Sequence, residues 1–590
     1  MPNPFSVKAA EDISANETRL LFVDVFSDFH KVITEGHTFI HGPRGCGKSM
    51  MFRYLLPDCQ CLQNETSLDK LAFFGVYIPV KNTNPNVTEL TRLENSNASY
   101  MLNEHFLCMY VAAKVFATFK DIDLPPKGKT NFNTQLNHFC NRFIYRMQRS
   151  GLKKEIVVTK STNPKQTLIE LMDICNEEYH SLLIYLRKLS FDKEPLVYDG
   201  PLTGYVDFLY PMLKDLKELS FMPKGPVYLM IDDADNLNET QTKILNSWVS
   251  MRTTSEVSIK VSTQLNYKTY RTVSGDRIDY PHDYSEINIS TQYTSVKGTY
   301  FERLRAIVKK RLSLKGIDIE PEVFFPPDKA QEEKIKAIAD QLTKSWATEG
   351  RGNKRGDDAL RYARPTFIAS LKGTSKSGST YSYAGFEQLV HISDGRIRYF
   401  LEPAAKMYSE TSSRNKSVIK AIPPSIQNKI ITEEAEKFIF AEFDKLIHDE
   451  EKYGCKDDKP RKLFNLLKAL GGTFHLVLLS ESSERRVISI AFSDQPDIET
   501  LDVLKLGVRY GYFTESSIGN KDGTGRTRLY ILSRRLAPHF KLDPNGFAGY
   551  LFVTKDIVKE AMLNPDKLLR KFKTEGVEKH LEQVQLSLFE

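Results

Sequence analysis

The stretch Gly42-Pro43-Arg44-Gly45-Cys46-Gly47-Lys48-Ser49 constrains this chain more than any other. A glycine, four variable residues and then Gly-Lys-Ser form the pattern of a phosphate-binding P-loop. The pattern has chemical meaning only between a strand and a helix. Both flanks are present: the apolar run Thr38-Phe39-Ile40 precedes it, and a helical pattern over residues 50–56 follows. Glycine lets successive backbone N–H groups turn toward one anion, because no Cβ stands in the way. The helix N-terminus adds the positive end of its dipole. In such a loop Gly42 to Met50 would surround the phosphates. Lys48 would reach the β- and γ-phosphates, and Ser49 would ligate Mg²⁺.

A P-loop needs a second, acidic site, and Val227-Tyr228-Leu229-Met230-Ile231-Asp232-Asp233 supplies it. Five apolar residues in a row suit a strand buried on both faces of a parallel sheet. At its tip Asp232 would hold Mg²⁺, directly or through water, and Asp233 would polarise the attacking water as general base or orienting group. The two motifs together predict an α/β nucleoside-triphosphate-binding core with ATP and Mg²⁺ as cofactors, and hydrolysis as its activity.

At 590 residues the chain is long enough for two to four domains. Its net charge of +7 permits nucleic acid as a partner without demanding it. Seven cysteines show no paired CxxC spacing, which argues against a metal site and for a reducing, cytoplasmic compartment. Residues 1–12 lack the apolar core of a signal peptide, and no apolar run is long enough to span a bilayer, so no membrane association is expected.

In chain order, helical spacing over residues 20–33 leads into the P-loop strand. Asn3-Pro4-Phe5 falls where many ATPases of this layout contact adenine. Residues 73–80 predict the next sheet strand, with Pro79 marking its end or an edge. Long helical patterns at 100–119, 136–147, 166–187 and 205–219 form a large insertion over 98–222, either scaffold or partner-binding. A helix over 241–251 and a strand over 257–264 follow. The polar tip of that strand offers Ser262, Thr263 or Gln264 to sense the γ-phosphate or the water.

The glycine loop, Ile231-Asp232-Asp233-Ala234-Asp235 and the polar-tipped strand resemble an AAA+ ATPase of the origin-recognition-complex type, close to the STAND signalling ATPases. Residues 389–399 contain Gly395-Arg396-Ile397-Arg398, similar to the AAA+ lid signature Gly-x-x-Arg. The resemblance makes Arg398 the arginine that reaches back to the γ-phosphate. Ile397 stands where proline is usual, and Arg396 is the neighbouring alternative. The family's habit of oligomerising through the nucleotide site makes Arg252 a candidate finger for a neighbouring subunit. Residues 300–314 would begin a helical lid, and the Gly-, Ser-, Arg- and Lys-rich residues 345–380 would be a mobile basic loop.

Residues 411–431, with Pro423-Pro424, are expected to be a linker to a C-terminal winged-helix domain over 432–550. Its expected elements are helices at 433–448 and 461–470, strands at 474–479 and 487–492, a helix at 498–510, and two strands flanking a glycine-rich basic turn. Lys505 and Arg509 would lie on the recognition helix, with Lys521, Arg526 and Arg528 on the wing near DNA phosphates. Winged helices also serve as protein-interaction modules.

Beyond a charged helical stretch the chain ends Gln585-Leu586-Ser587-Leu588-Phe589-Glu590. This resembles the bacterial sliding-clamp-binding peptide: Leu588 and Phe589 would fill an apolar pocket, Gln585 would hydrogen-bond at its edge, and Leu586 is a further clamp-binding candidate. The whole implies a prokaryotic AAA+ switch acting on DNA or replication-associated complexes. No second catalytic site is visible, so the output would lie in an effector protein, as in antiphage defence. The alternative is a STAND-like scaffold that senses a protein trigger and uses its winged helix for protein contact.

Overall fold

Parallel strands covered on both faces are buried along their whole length, and the central strands here are. β1 (Thr38–His41), β2 (Phe74–Pro79), β3 (Val227–Asp232), β4 (Val257–Thr263) and β5 (Ser285–Asn288) form one sheet in the order β2-β3-β4-β1-β5. Every pair is parallel. All residues of β1, β3 and β4 are buried, although only β3 is an almost unbroken apolar run and β4 alternates apolar residues with the buried polar Ser258, Lys260 and Ser262. Pro79 closes the edge strand β2, opposite Asp232, as its missing N–H requires.

This computed structural model describes residues 3–24, 29–80, 97–124, 130–156, 158, 163–189, 191, 197–252, 254–264, 267–289, 299–348, 355–371, 381–414, 418–452, 458–480, 486–519, 525–545 and 549–575. The chain divides into two units: Lys8–Gln292, and Met1–Val7 with Tyr293–Glu590.

In the first unit the P-loop leads into α1 (Lys48–Tyr54), and the insertion between β2 and β3 supplies α2 (Ala98–Ala117), α3 (Thr130–Arg149), α4 (Pro164–Leu189) and α5 (Tyr210–Lys217). The insertion is continuous with the sheet's own core. Phe106, Met109, Ala113 and Phe116 recur at helical spacing on α2 and are buried in the same apolar cluster as Phe74, Val76 and Leu229. Phe74 of β2 stacks on Phe119 at 5.0 Å. After β3, α6 (Glu239–Ser250) opens with a capping box of Asn238 and Gln241 and buries Trp248 against Tyr205.

The second unit begins with α7 (Thr299–Ser313), α8 (Lys329–Thr348), α9 (Arg355–Ser370), α10 (Phe386–Ile392) and α11 (Ile397–Arg414). It continues through α12 (Pro424–Glu436), α13 (Glu442–Lys452), α14 (Lys459–Leu478), β6 (Val487–Phe492), α15 (Ile498–Tyr510), β7 (Phe513–Gly519), β8 (Arg526–Leu532), β9 (Gly549–Val553), α16 (Lys555–Leu563) and α17 (Pro565–Glu575). Its sheet has the order β7-β8-β6-β9. β7 and β8 form the antiparallel wing, β6 pairs antiparallel with β8, and β9 runs parallel to β6. Helices followed by a hairpin of this kind are consistent with a winged helix.

The structure departs from the sequence reading in several places. The strand expected at 474–479 is the last turn and a half of α14, which runs unbroken through Gly471 and Gly472. Much of the expected basic loop, residues 355–370, is the helix α9: Ala359, Ala363 and Phe367 recur every fourth residue and are buried. Arg364 grips Glu332 of α8 through two hydrogen bonds of 3.1 Å. Residues 424–431 of the expected linker belong to α12, which begins with proline at its first position, where the missing N–H costs nothing. β9 and α16 escaped the sequence reading.

Candidate nucleotide site

The P-loop springs from between the two central strands. Gly42 N–H donates to the Thr263 carbonyl at 3.1 Å, directly beyond the β1–β4 pairing. Gly45 and Gly47 have φ of +84° and +106°, a conformation that penalises any side chain. Lys48 is buried, and its Nζ donates to the carbonyls of Gly42 (2.6 Å) and Pro43 (3.2 Å). The amine therefore lies over the curl of the loop. Ser49 and Met50 follow on the first turn of α1, half-buried.

Opposite Lys48 stands the tip of β3. Asp232 is 2% exposed, yet both carboxylate oxygens are satisfied. Oδ2 accepts the Tyr77 hydroxyl at 2.8 Å. Oδ1 accepts the Ser262 hydroxyl and, at 3.1 Å, the Asp233 N–H. Asp233 sits in the left-handed region at φ +54°, turning its side chain out of the strand direction. Burial raises its carboxyl pKa above the ordinary value; the Asp232 charge adds to this, while Lys48 and Arg44 oppose it. Arg44, Lys48 and Asp232 therefore lie close enough to act on the Asp233 charge.

Asp235 joins them, and the sequence reading assigned it no role. Its Oδ2 accepts the Gln264 N–H at 2.5 Å, and its buried Oδ1 has no hydrogen-bond partner. Burial raises its pKa, with Lys48 among the groups opposing the shift. The Ile-Asp-Asp-Ala-Asp spacing was the available signal: the short turn Ala234–Asn236 carries the third carboxylate back over the strand tip.

Of the three polar residues at the tip of β4, Ser262 faces the acidic pair. It donates to Asp232 and accepts the Asp233 N–H at 3.0 Å. Thr263 is tied to His41 Nδ1 at 2.8 Å, and His41 Nε2 meets Glu286 at 2.9 Å. Burial, outweighing Glu286, lowers the His41 pKa. Gln264 engages Asp235 through its backbone.

The residues fit a Mg²⁺-bound nucleotide. The donors are all hard oxygens, one buried carboxylate is already oriented, and Asp235 holds an unsatisfied oxygen nearby. Among the described residues no group of three or more His, Cys, Asp or Glu side chains forms a metal cage. A nucleotide-bound Mg²⁺ needs none, since it takes one or two carboxylates and the phosphates.

The remaining candidates divide. Arg252, at φ +50°, pairs with Asp283 at 2.9 Å. In the second unit Arg396 is 6% exposed, with Nη1 on the Tyr399 hydroxyl at 2.6 Å, whereas Arg398 is half exposed and pairs with Glu402 at 3.7 Å. Asn3 and Phe5 belong to that unit too. Phe5 is fully buried among Phe324, Phe325 and Tyr408, and Asn3 donates to the Ala405 carbonyl at 2.7 Å.

On the winged helix Lys505, Arg509, Arg526 and Arg528 are all exposed. Acidic neighbours temper them: Lys505 lies 3.8 Å from Asp502, and Arg528 lies 3.5 Å from Glu515. Arg526 donates to Ser517. Lys521 and the tail residues Gln585, Leu586, Leu588 and Phe589 lie outside the described residues. Among the described residues no helix is long and apolar enough to cross a membrane.

No curated protein is significantly similar to the chain. A family model, however, matches residues 3–552, from before the P-loop into β9, the last strand of the second sheet. With the nucleotide loop, the acidic strand and the five-stranded parallel sheet in place, the chain belongs to the ORC-CDC6-like family of AAA+ proteins.

Proposed function

We propose that the protein binds and hydrolyses ATP and uses the cycle to switch its hold on DNA or a replication-associated complex, with the output carried by an effector protein. The observation that carries this reading is that Lys48, just after β1, and Asp232 and Asp233, at the tip of β3, stand at the same end of one parallel sheet on either side of β4, close enough for Lys48 to act on the Asp233 charge. The loop amides and Lys48 hold the phosphates. Ser49 and Asp232 are the residues that would hold Mg²⁺, which when bound offsets charge on the phosphate oxygens. Asp233 orients the attacking water and takes its proton as the new P–O bond forms and the β–γ bridge oxygen leaves with ADP. Ser262 keeps Asp232 and the Asp233 backbone in register. Arg398 is the nucleotide-sensing arginine in this reading, and subunits assemble through the nucleotide site with Arg252 as the finger.

The exposed Lys505, Arg509, Arg526 and Arg528 support contact with DNA phosphates rather than bases, because their acidic neighbours interrupt a continuous basic face. One observation favours a second reading, a protein-sensing scaffold: the insertion shares its core with the sheet, so a ligand on the insertion would press directly on the ATPase.

Hydrolysis by wild type and Lys48→Ala, each with and without duplex DNA and sliding clamp, separates the readings. Wild type should hydrolyse ATP, Lys48→Ala should not, and DNA or clamp should change the wild-type rate. A rate blind to both would shift the assignment to a protein trigger. Equal rates in the two proteins would sink the nucleotide-site assignment.

A further inference from the structure

Ser49, Asp232 and Ser262 account for the P-loop side of the metal site, but Asp232 is also gripped from the opposite side. Tyr77 lies on the edge strand β2, 155 positions away in sequence, and donates its hydroxyl to Asp232 Oδ2 at 2.8 Å. Oδ1 is meanwhile held by Ser262 and the Asp233 N–H. Donors on both oxygens fix the plane of the carboxylate, which a single contact would leave free to swing. The backbone is clamped at the same place: Val80 N–H donates to the Asp232 carbonyl at 2.9 Å, and Asn236 Nδ2 caps the Val80 carbonyl at 2.7 Å. The insertion reaches this clamp too. Tyr110 of α2 donates to the Pro79 carbonyl at 2.6 Å, and Pro79 sits in register with Asp232.

We infer that Tyr77 is a positioning residue for the metal-holding carboxylate of Asp232, and that the helical insertion acts on the nucleotide site through Tyr110 and this strand end. The inference rests on the nucleotide reading above. Mg²⁺ demands near-ideal octahedral geometry, so a carboxylate set in advance binds it with less reorganisation. Loss of such an outer partner typically costs about 10–100-fold in metal affinity.

The test is equilibrium binding of a fluorescent ATP analogue to the full-length chain, in EDTA and across a titration of free Mg²⁺, for wild type, Tyr77→Phe, Tyr110→Phe and Lys48→Ala. Tyr77→Phe keeps the ring and so the packing. It should bind the analogue in EDTA as wild type does, yet need about ten-fold more Mg²⁺ for the half-maximal response. Tyr110→Phe should shift the curve the same way by less. Coincident Mg²⁺ curves for wild type and Tyr77→Phe would overturn the inference while leaving the nucleotide reading intact. An equal loss with and without Mg²⁺ would also overturn it, since that marks support of the fold alone. A wild type that binds no analogue, or a Lys48→Ala that binds as well as wild type, would remove the nucleotide reading and the inference with it.

Discussion

Asp233 gains its chemical character from its neighbours. Burial and the Asp232 charge raise its carboxyl pKa, so the deprotonated form is a stronger base than an exposed aspartate. A base acts only when deprotonated, so ATP hydrolysis should decline as pH falls through this raised pKa, at a higher pH than for an ordinary aspartate. Asp233→Asn should keep nucleotide binding and lower the turnover rate by about 10²–10⁴-fold, which single-turnover kinetics would reveal. His37 makes a separate prediction about stability. It is 1% exposed, and its Nδ1 accepts the Ile259 N–H at 3.0 Å, so it folds neutral; burial, helped by Lys260, lowers its pKa from 6.5 to about 4. Between those values the unfolded chain binds a proton that the folded chain refuses. Stability should therefore fall as pH drops from 6.5 toward 4, by about 1.4 kcal/mol per pH unit for this residue. His37→Asn retains an acceptor near Nδ1 and should flatten that part of the acid limb in chemical denaturation.

Among the elements, α14 shows most clearly how local pattern and packing diverge. Gly471-Gly472 ahead of Thr473-Phe474-His475-Leu476-Val477 has the look of a break and then a strand. The structure uses both glycines as packing surfaces on a continuous helix. A Cβ on Gly471 would meet the Phe540 ring at 2.4 Å, and one on Gly472 would meet Leu569 at 2.7 Å. In an open helix, alanine would gain about 1 kcal/mol over glycine. Here Gly471→Ala should instead destabilise by about 1–3 kcal/mol through overpacking, measurable in thermal or urea unfolding. α9 is the converse case: its Gly- and Arg-rich composition suggested a loop, but the spacing of Ala359, Ala363 and Phe367 was present in the sequence and composition outweighed it. The helix at 498–510, by contrast, matches the expected bounds, because Asp497 caps its start through Thr500 N–H and Gly511 ends it at φ +81°.

Across the second unit, helices α7 to α11 and the C-terminal sheet with its helices share one core, and a buried ion pair pins them. Asp394, immediately before Gly395 of the Gly-x-x-Arg stretch, meets Arg534 at 3.1 Å with both side chains almost wholly buried. Arg535 lies over the rings of Tyr399 and Phe438 at 4.0 and 3.9 Å. Arg534→Met would strand a buried carboxylate and should cost about 3–5 kcal/mol in denaturant unfolding. Combining it with Asp394→Asn should recover part of that loss. What the sequence alone determined is whatever lies in a short window: the P-loop, the acidic strand tip, the parallel sheet implied by unbroken apolar runs, and the capped helices. Spacing and local conformation set these, and both are written in neighbouring residues. Only the tertiary structure decided that Tyr77 and Ser262 grip Asp232, that Asp235 joins the site, that Arg396 is buried while Arg398 is exposed, and that Asn3 and Phe5 serve the other unit. Each of those outcomes depends on side chains far apart in sequence and brought together by strand order and packing, which no local pattern encodes.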